Sequence, residues 1–216
     1  KKYEISDLKV DFEKTMKSFC HTMEAFPWED KWAYAMWCAQ TFYYVSHSTR
    51  LLALAATRCD LSQNALHRRC LNHVAEEKGH ENLSLNDIKA VDHKLEDLPE
   101  LTETQLFYQN QYYWLDRQGT PAFFGYLLML EGGGVHACGD AYKRVVKAHG
   151  EKAAMFLKVH SEEDVDHLQK AFDQIETFKV EDLISIKKNM EQSCEMYSGF
   201  LNRIAGEVRA RAKKSA

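Results

Sequence analysis

The sequence predicts an all-α protein built as a single bundle of seven helices. The chain has 216 residues but only 3 Pro and 10 Gly, where average usage would give roughly 11 and 15. Helix interiors exclude Pro and disfavour Gly, whereas turns use both, so this deficit indicates long helices and few turns. Apolar residues also recur at helical spacing, as at Leu8, Phe12, Met16 and Phe19.

Seven segments carry this pattern, and the residues at their ends explain where they begin and stop. Pro27 separates the first from the second, Ser62 and Thr102 can cap the third and fourth, and Pro121 suits the first turn of the fifth. Three glycines at 132–134 predict that the fifth segment bends or becomes thinner there. No repeat or linker interrupts the series, which predicts one domain over 1–216. The predicted segments are 7–23, 29–58, 62–88, 102–117, 121–149, 152–178 and 180–211.

Charge and hydropathy exclude several classes of function. The 28 Lys and Arg against 32 Asp and Glu give a net charge of −4, which argues against binding nucleic acid. No apolar run approaches the 18 or so residues of a membrane span. The charged N-terminal stretch lacks the apolar core of a signal peptide, and the six cysteines form no CxxC pair. These features predict a cytoplasmic protein with free thiols.

The strongest functional signal is the spacing of His160, Asp164 and His167 in the sixth segment. Steps of four, three and seven residues place all three on one face of a helix. Two imidazoles and a carboxylate suit iron or manganese. Because other acids crowd the same stretch, a solvated acidic face is the competing interpretation.

A second group of acids and histidines lies in the third segment, at His73, Glu76, Glu77 and His80. Glu77-x-x-His80 has the i, i+3 spacing by which di-iron carboxylate bundles direct a Glu and a His to one metal pair. Glu76 is an alternative to Glu77, and His73 is a further potential ligand. The competing interpretation is an ordinary Glu–His pair on a helix surface.

Glu131 ends an apolar run in the fifth segment, just before the glycines. A carboxylate is costly to bury there unless a positive group meets it, so either a metal lies nearby or Glu131 is exposed beside the bend. Six ligands suffice for two metals with open positions, and an oxygen-rich set without Cys disfavours zinc. The predicted ligands are Glu77, His80, Glu131, His160, Asp164 and His167.

In helix order these motifs resemble the haem-oxygenase-like di-metal oxidases, which share the fold of haem oxygenase, TenA and PqqC. The resemblance covers most of the chain and rests on the segments LKVHSEEDVDH, EEKGHENL and LEGGG. It is strongest to the members that decarboxylate fatty acids to terminal alkenes, which share the short Glu-x-x-His spacing. It is weaker to the chlamydial members that form p-aminobenzoate, whose Glu and His are seven apart. The alkene-forming members place a further carboxylate on the second helix, where His47 is the nearest counterpart here.

The resemblance implies two Fe(II) per chain, or manganese in their place, that activate O2 to oxidise a small organic acid, fatty acid or amine. Tyr43 and Tyr44 could contribute hydroxyls to the substrate pocket, although plain core packing is the competing interpretation for every aromatic residue here. Residues before Glu131 could line that pocket: Phe123, Phe124, Tyr126, Leu127 and Leu130.

Other functions remain open at this point. A metal-free enzyme of the same fold could be a TenA-type hydrolase with Cys138 as nucleophile, or a PqqC-type oxidase that needs no cofactor. A non-enzymatic metal-binding or interaction protein is a further alternative. Haem oxygenase itself needs a proximal histidine on the first helix, where His21 is the available residue. The oligomeric state is open, a homodimer included.

Overall fold

The computed structural model describes residues 2–214, apart from the side chain of residue 163, and no strand occurs among them. This confirms the predicted all-α fold. The described helices are α1 (Ile5–Ala25), α2 (Lys31–Val45), α3 (Ser48–Thr57), α4 (Asn64–Glu77), α5 (Glu81–Ala90), α6 (Thr102–Arg117), α7 (Thr120–Gly133), α8 (Gly139–His149), α9 (Met155–Ile175) and α10 (Val180–Lys214).

Three of the seven predicted segments are in fact pairs of helices. The second segment breaks between α2 and α3, where the Ser46 hydroxyl donates to the Phe42 carbonyl and competes with the helical backbone bonds. The third breaks between α4 and α5, where Gly79 has a φ of 95°, outside the helical region. The fifth divides into α7 and α8 next to the three glycines, where a π-helical turn at Gly134–Cys138 joins the two helices.

Helix α7 lies at the centre of the bundle and carries Glu131, one of the predicted ligands. It packs against α1, α6, α9 and α10, and most of its side chains are buried on all sides. The 35-residue α10 runs along it and closes the core. None of the helices within residues 2–214 combines the length and hydrophobicity needed to cross a bilayer.

Asp87 on α5 fixes the start of α9, which carries three of the predicted ligands. Its carboxylate is fully buried and accepts the backbone N–H groups of Met155 (3.0 Å) and Phe156 (2.9 Å). These are N–H groups that the first turn of a helix cannot satisfy internally. The Tyr34 hydroxyl approaches the same carboxylate at 3.4 Å. Asp87 therefore joins α5, α2 and α9 beneath the functional site.

We expect Asp87 to make the protein less stable as the pH rises through neutrality. Burial raises the pKa of Asp87 to about 7, although the two backbone N–H groups oppose this. The folded state therefore holds the proton more tightly than the unfolded state. The stability that this proton contributes is fully present below the unfolded pKa of about 4. It is lost as the pH rises through the folded pKa of about 7, a change on the order of 4 kcal/mol.

Urea unfolding of the wild type and of Asp87→Asn between pH 4.5 and 7.5 measures this contribution. The free energy of unfolding of the wild type should fall more steeply with pH than that of Asp87→Asn. Asp97→Asn, at an exposed carboxylate, should keep the wild-type slope. Equal slopes in wild type and Asp87→Asn would contradict the assignment.

Candidate metal centre

All six predicted ligands converge on one region between α4, α5, α7 and α9. Helix α4 supplies Glu77, the α4–α5 turn supplies His80, α7 supplies Glu131, and α9 supplies the remaining three. His73 on α4 joins them. Four separate segments of the chain therefore contribute nitrogen or carboxylate oxygen donors to one site.

The first cluster consists of His73, Glu131 and His167, all buried. Glu131 lies between the two imidazoles, with Oε1 3.4 Å from His73 Nε2 and Oε2 3.4 Å from His167 Nδ1. Each residue offers one donor atom, and the three atoms lie within 4.8 Å of one another. The buried carboxylate expected at Glu131, which is 6% exposed, is therefore present, and the predicted alternative of an exposed position is wrong.

The second cluster consists of Glu77, His80 and His160, whose donor atoms also lie within 4.8 Å. Glu77 Oε2 is 3.4 Å from His80 Nδ1, and the His80 and His160 rings are 5.2 Å apart. The other oxygen of Glu77, Oε1, is 3.5 Å from Nε2 of His73. Glu77 thus connects the second cluster to the first.

The Glu77–His80 pair differs from the prediction in one respect. It does not lie within a continuous helix, because α4 ends at Glu77 and α5 begins at Glu81. The left-handed conformation of Gly79 turns the chain between them. The two side chains meet across this turn, with Oε2 of Glu77 3.4 Å from Nδ1 of His80.

Asp164 lies beside the first cluster, against the π-helical turn. It is 3% exposed, and its Oδ1 is 3.8 Å from His167 Nδ1. A Cβ atom on Gly134 would lie 1.6 Å from Asp164 Oδ2, far inside van der Waals contact. The glycine is therefore what allows this carboxylate to reach the site.

The pKa values of an acid and a base in the site are shifted in opposite directions, and both shifts favour the charged form. Burial would raise the pKa of Glu77, but the imidazoles of His73 and His80 outweigh it and hold the pKa well below its usual range. The carboxylates of Asp164 and Glu131 raise the pKa of His167 to about 10. Without a metal, the His167 imidazolium therefore supplies positive charge among buried carboxylates, a position that a cation can take over.

The donor geometry fits metal ions better than a self-contained hydrogen-bond network. Nε2 of His73 and Nδ1 of His167 are buried without a hydrogen-bond partner among the described residues. Their 3.4–3.5 Å approaches to carboxylate oxygens exceed normal N–H···O distances. Ligands bound to one ion at about 2.0–2.2 Å lie roughly 3 Å apart or slightly more.

The second ring nitrogens of two histidines support the same interpretation. Nδ1 of His160 is 3.0 Å from the Phe156 carbonyl, so it carries the proton and leaves Nε2 as a donor for a metal. Nε2 of His167 points towards the Glu76 carboxylate, whose Oε2 lies 3.4 Å away, longer than a normal hydrogen bond, while Nδ1 faces the cluster. Ligating histidines are commonly oriented by such outer partners.

The structure distinguishes Glu77 from Glu76 as candidate ligands. The Glu77 side chain is 12% exposed and faces the histidines of the site, whereas that of Glu76 is 41% exposed and also approaches Lys170 at 3.7 Å. This geometry favours Glu77 over Glu76 as the candidate ligand and places Glu76 beside the outer nitrogen of His167.

We expect Glu77→Gln to lower metal content far more than Glu76→Gln. Loss of an outer partner reduces metal affinity by about 10–100-fold, and loss of a charged ligand should exceed that. Metal titration of both variants, with the unfolding free energy measured on the same samples, tests this. If Glu76→Gln proves the more damaging change, the roles are reversed.

An apolar cavity adjoins the clusters on the side of α2, α7 and α10. Its volume is about 60 Å³, which is room for a few water molecules or a small ligand. Glu77, Glu131 and His160 form one wall. Aromatic rings form much of the rest: Phe19, Trp37, Tyr44, Phe123, Tyr126, Phe156 and Tyr197.

Most of the residues predicted to line a pocket do so. Phe123, Tyr126, Leu127 and Leu130 face the cavity, as does Tyr44. Phe124 instead packs against Phe178, with ring centroids 5.0 Å apart. Tyr43 donates its hydroxyl to the Leu98 carbonyl at 3.0 Å and is not part of the lining.

The structure does not support the alternative roles considered for three other residues, as an extra metal ligand, a haem ligand and a nucleophile. His47 stacks on Tyr108 and belongs to neither cluster. His21 is exposed on α1, where it cannot serve as a buried haem ligand. Cys138 reaches the cavity, but burial raises its pKa, which disfavours the thiolate that a nucleophile requires.

Comparison with known proteins places the chain in a family. A model of that family, described as iron-containing redox enzymes, matches residues 35–195, a range that includes both clusters. The chain belongs to this family. The family makes iron the expected metal, and the match supports the prediction of a redox enzyme. None of the curated proteins compared with the sequence matches it.

Two solved structures are similar to this one. A domain of unknown function with a haem oxygenase-like fold from Shewanella denitrificans OS217 is 20% identical, with a TM-score of 0.79 over 94% of this chain and 91% of that one. A TenA homologue from Pseudomonas syringae pv. tomato DC3000 is 14% identical, with a TM-score of 0.68 over 89% and 92%. At these identities the likeness establishes the fold, and it confirms the predicted haem-oxygenase-like class.

Proposed function

We propose that this iron-containing redox enzyme is a non-haem di-iron oxidase or oxygenase that uses O2 on a small organic acid, fatty acid or amine. The observation that carries the proposal is the pair of donor clusters connected through Glu77 and bordering an apolar cavity. A single metal would not require two groups of three donors. Manganese, alone or with iron, suits the same donor types.

The donors divide into two metal positions. One would be held by Glu77, His80 and His160, and the other by His73, Glu131 and His167, with Asp164 at its edge. The proposal keeps all six predicted ligands and adds His73. The carboxylates also compensate the positive charge that two divalent ions bring into a buried site.

When bound, a pair of ferrous ions supplies a site for O2 and electrons for its reduction. The chain provides the surroundings that such chemistry needs. Three carboxylates and four imidazoles supply the donors, and the aromatic wall excludes water from the side on which a substrate would lie. The resemblance of the sequence motifs to alkene-forming and p-aminobenzoate-forming proteins makes fatty acids and small aromatic compounds the first substrates to test.

Oxygen uptake by Fe(II)-loaded protein tests the activity. Protein loaded without air should consume O2 faster when a suitable carboxylic acid or amine is present, and mass spectrometry should detect an oxidised product. Zn(II)-loaded protein, which has no redox chemistry, should do neither. A protein that binds iron but shows no compound-dependent O2 uptake across acids and amines would overturn the proposal in favour of a metal-binding protein.

A further inference from the structure

Tyr126 on α7 carries a buried hydroxyl that the protein leaves without a partner. The residue is 1% exposed, and its Oη forms no hydrogen bond with any described residue. A buried hydroxyl in this state costs about 1–3 kcal/mol. A stable fold tolerates such a group when a ligand or an ordered water molecule forms the missing hydrogen bond.

Other buried tyrosines of the core do not share this property. Tyr197 accepts a hydrogen bond from Trp37 Nε1 at 3.0 Å, and the Tyr34 hydroxyl donates to the Ala153 carbonyl. Their hydroxyls are therefore used in holding helices together. Tyr126 is buried to the same degree but contributes no such bond.

The position of Tyr126 indicates what it would bind. Tyr126 is among the residues that line the cavity, together with Glu77 and Glu131. Its ring is held by Phe123, stacked at 5.4 Å, and by Phe107 at 5.0 Å, so the hydroxyl cannot easily turn elsewhere. Burial raises the pKa of Tyr126 well above its usual value, and the charges of Glu77 and Glu131 add to this. The group therefore stays a phenol and acts as a donor.

We propose that the Tyr126 hydroxyl is the hydrogen-bond donor to a small anionic ligand that binds beside the metal pair in this cavity. The class includes a carboxylate group and small inorganic anions such as azide. Because the carboxylates of the site would repel an anion when no metal is bound, such a ligand depends on the metal pair for attraction and on Tyr126 for orientation. The inference rests on the proposed function, since it requires the metals to be present.

Azide titration of Co(II)-loaded protein tests this, with the visible bands of the metal as the readout. Tyr126→Phe should bind two Co(II) with an unchanged spectrum but should bind azide about 10–100-fold more weakly, the usual worth of a hydrogen bond to a charged group. Tyr43→Phe, which removes a hydroxyl outside the cavity, should bind azide as the wild type does.

The metal-free protein gives a second readout. Because the hydroxyl has no protein partner, Tyr126→Phe should leave the unfolding free energy unchanged or slightly higher. A loss of stability of more than about 1 kcal/mol would show a structural hydrogen bond instead. If Tyr126→Phe and the wild type each bind two metals and bind azide equally well, the role of Tyr126 is overturned while the proposed function stands. Failure of the wild type to bind Co(II) or Fe(II) would overturn the proposed function, and this inference with it.

Discussion

Glu131→Gln should lose at least one of the two metal ions while the protein remains folded. Glu131 faces imidazole nitrogens on both sides, at 3.4 Å from His73 and 3.4 Å from His167. The amide has nearly the same shape but carries no charge, so it can neither compensate a divalent ion nor hold two histidines with equivalent oxygens. Metal affinity should fall by more than the about 10–100-fold that an outer partner contributes.

Metal analysis after anaerobic loading, with circular dichroism on the same samples, measures this effect. Glu13→Gln, at an exposed glutamate on α1, should keep the wild-type metal content. A Glu131→Gln protein with full metal content would remove Glu131 from the ligand set.

Gly134→Ala should disrupt the position of Asp164. The new methyl group would lie 1.6 Å from Oδ2 and 2.5 Å from Cγ of Asp164, so the carboxylate must leave its place. Overpacking of this kind costs about 1–3 kcal/mol, partly offset by the higher helix propensity of alanine, up to about 1 kcal/mol. We expect weaker metal binding and a lower free energy of unfolding.

Gly139→Ala provides a matched control five residues further along the same helical path. A Cβ atom there meets nothing within 4 Å, so the variant should bind metal normally and be slightly more stable. Normal metal binding by Gly134→Ala would mean that Asp164 takes no part in the site.

Most of the candidate site could be predicted from the sequence because its signals are local. The spacing of His160, Asp164 and His167 within one helix places them on one face, and Glu131 stands out as an acid in an apolar run. The all-α fold class follows from the low content of Pro and Gly. These inferences need no knowledge of which helices are neighbours.

The remaining features depend on contacts between distant segments or on backbone turns. His73 was considered as a ligand, but its role depends on Glu131 of α7 and His167 of α9, which a spacing argument within α4 cannot reveal. The break at Gly79 was missed, because an isolated glycine in a helical pattern is often tolerated. Tyr126 looked like any core aromatic residue, and its unpartnered hydroxyl becomes visible only in three dimensions.

Anaerobic loading with Fe(II), followed by elemental analysis and Mössbauer spectroscopy, tests the central claim most directly. Two donor clusters predict about two irons per chain, both high-spin ferrous and bound by nitrogen and oxygen. Iron near zero after careful loading, a single iron per chain, or haem absorption in the purified protein would contradict the di-iron account.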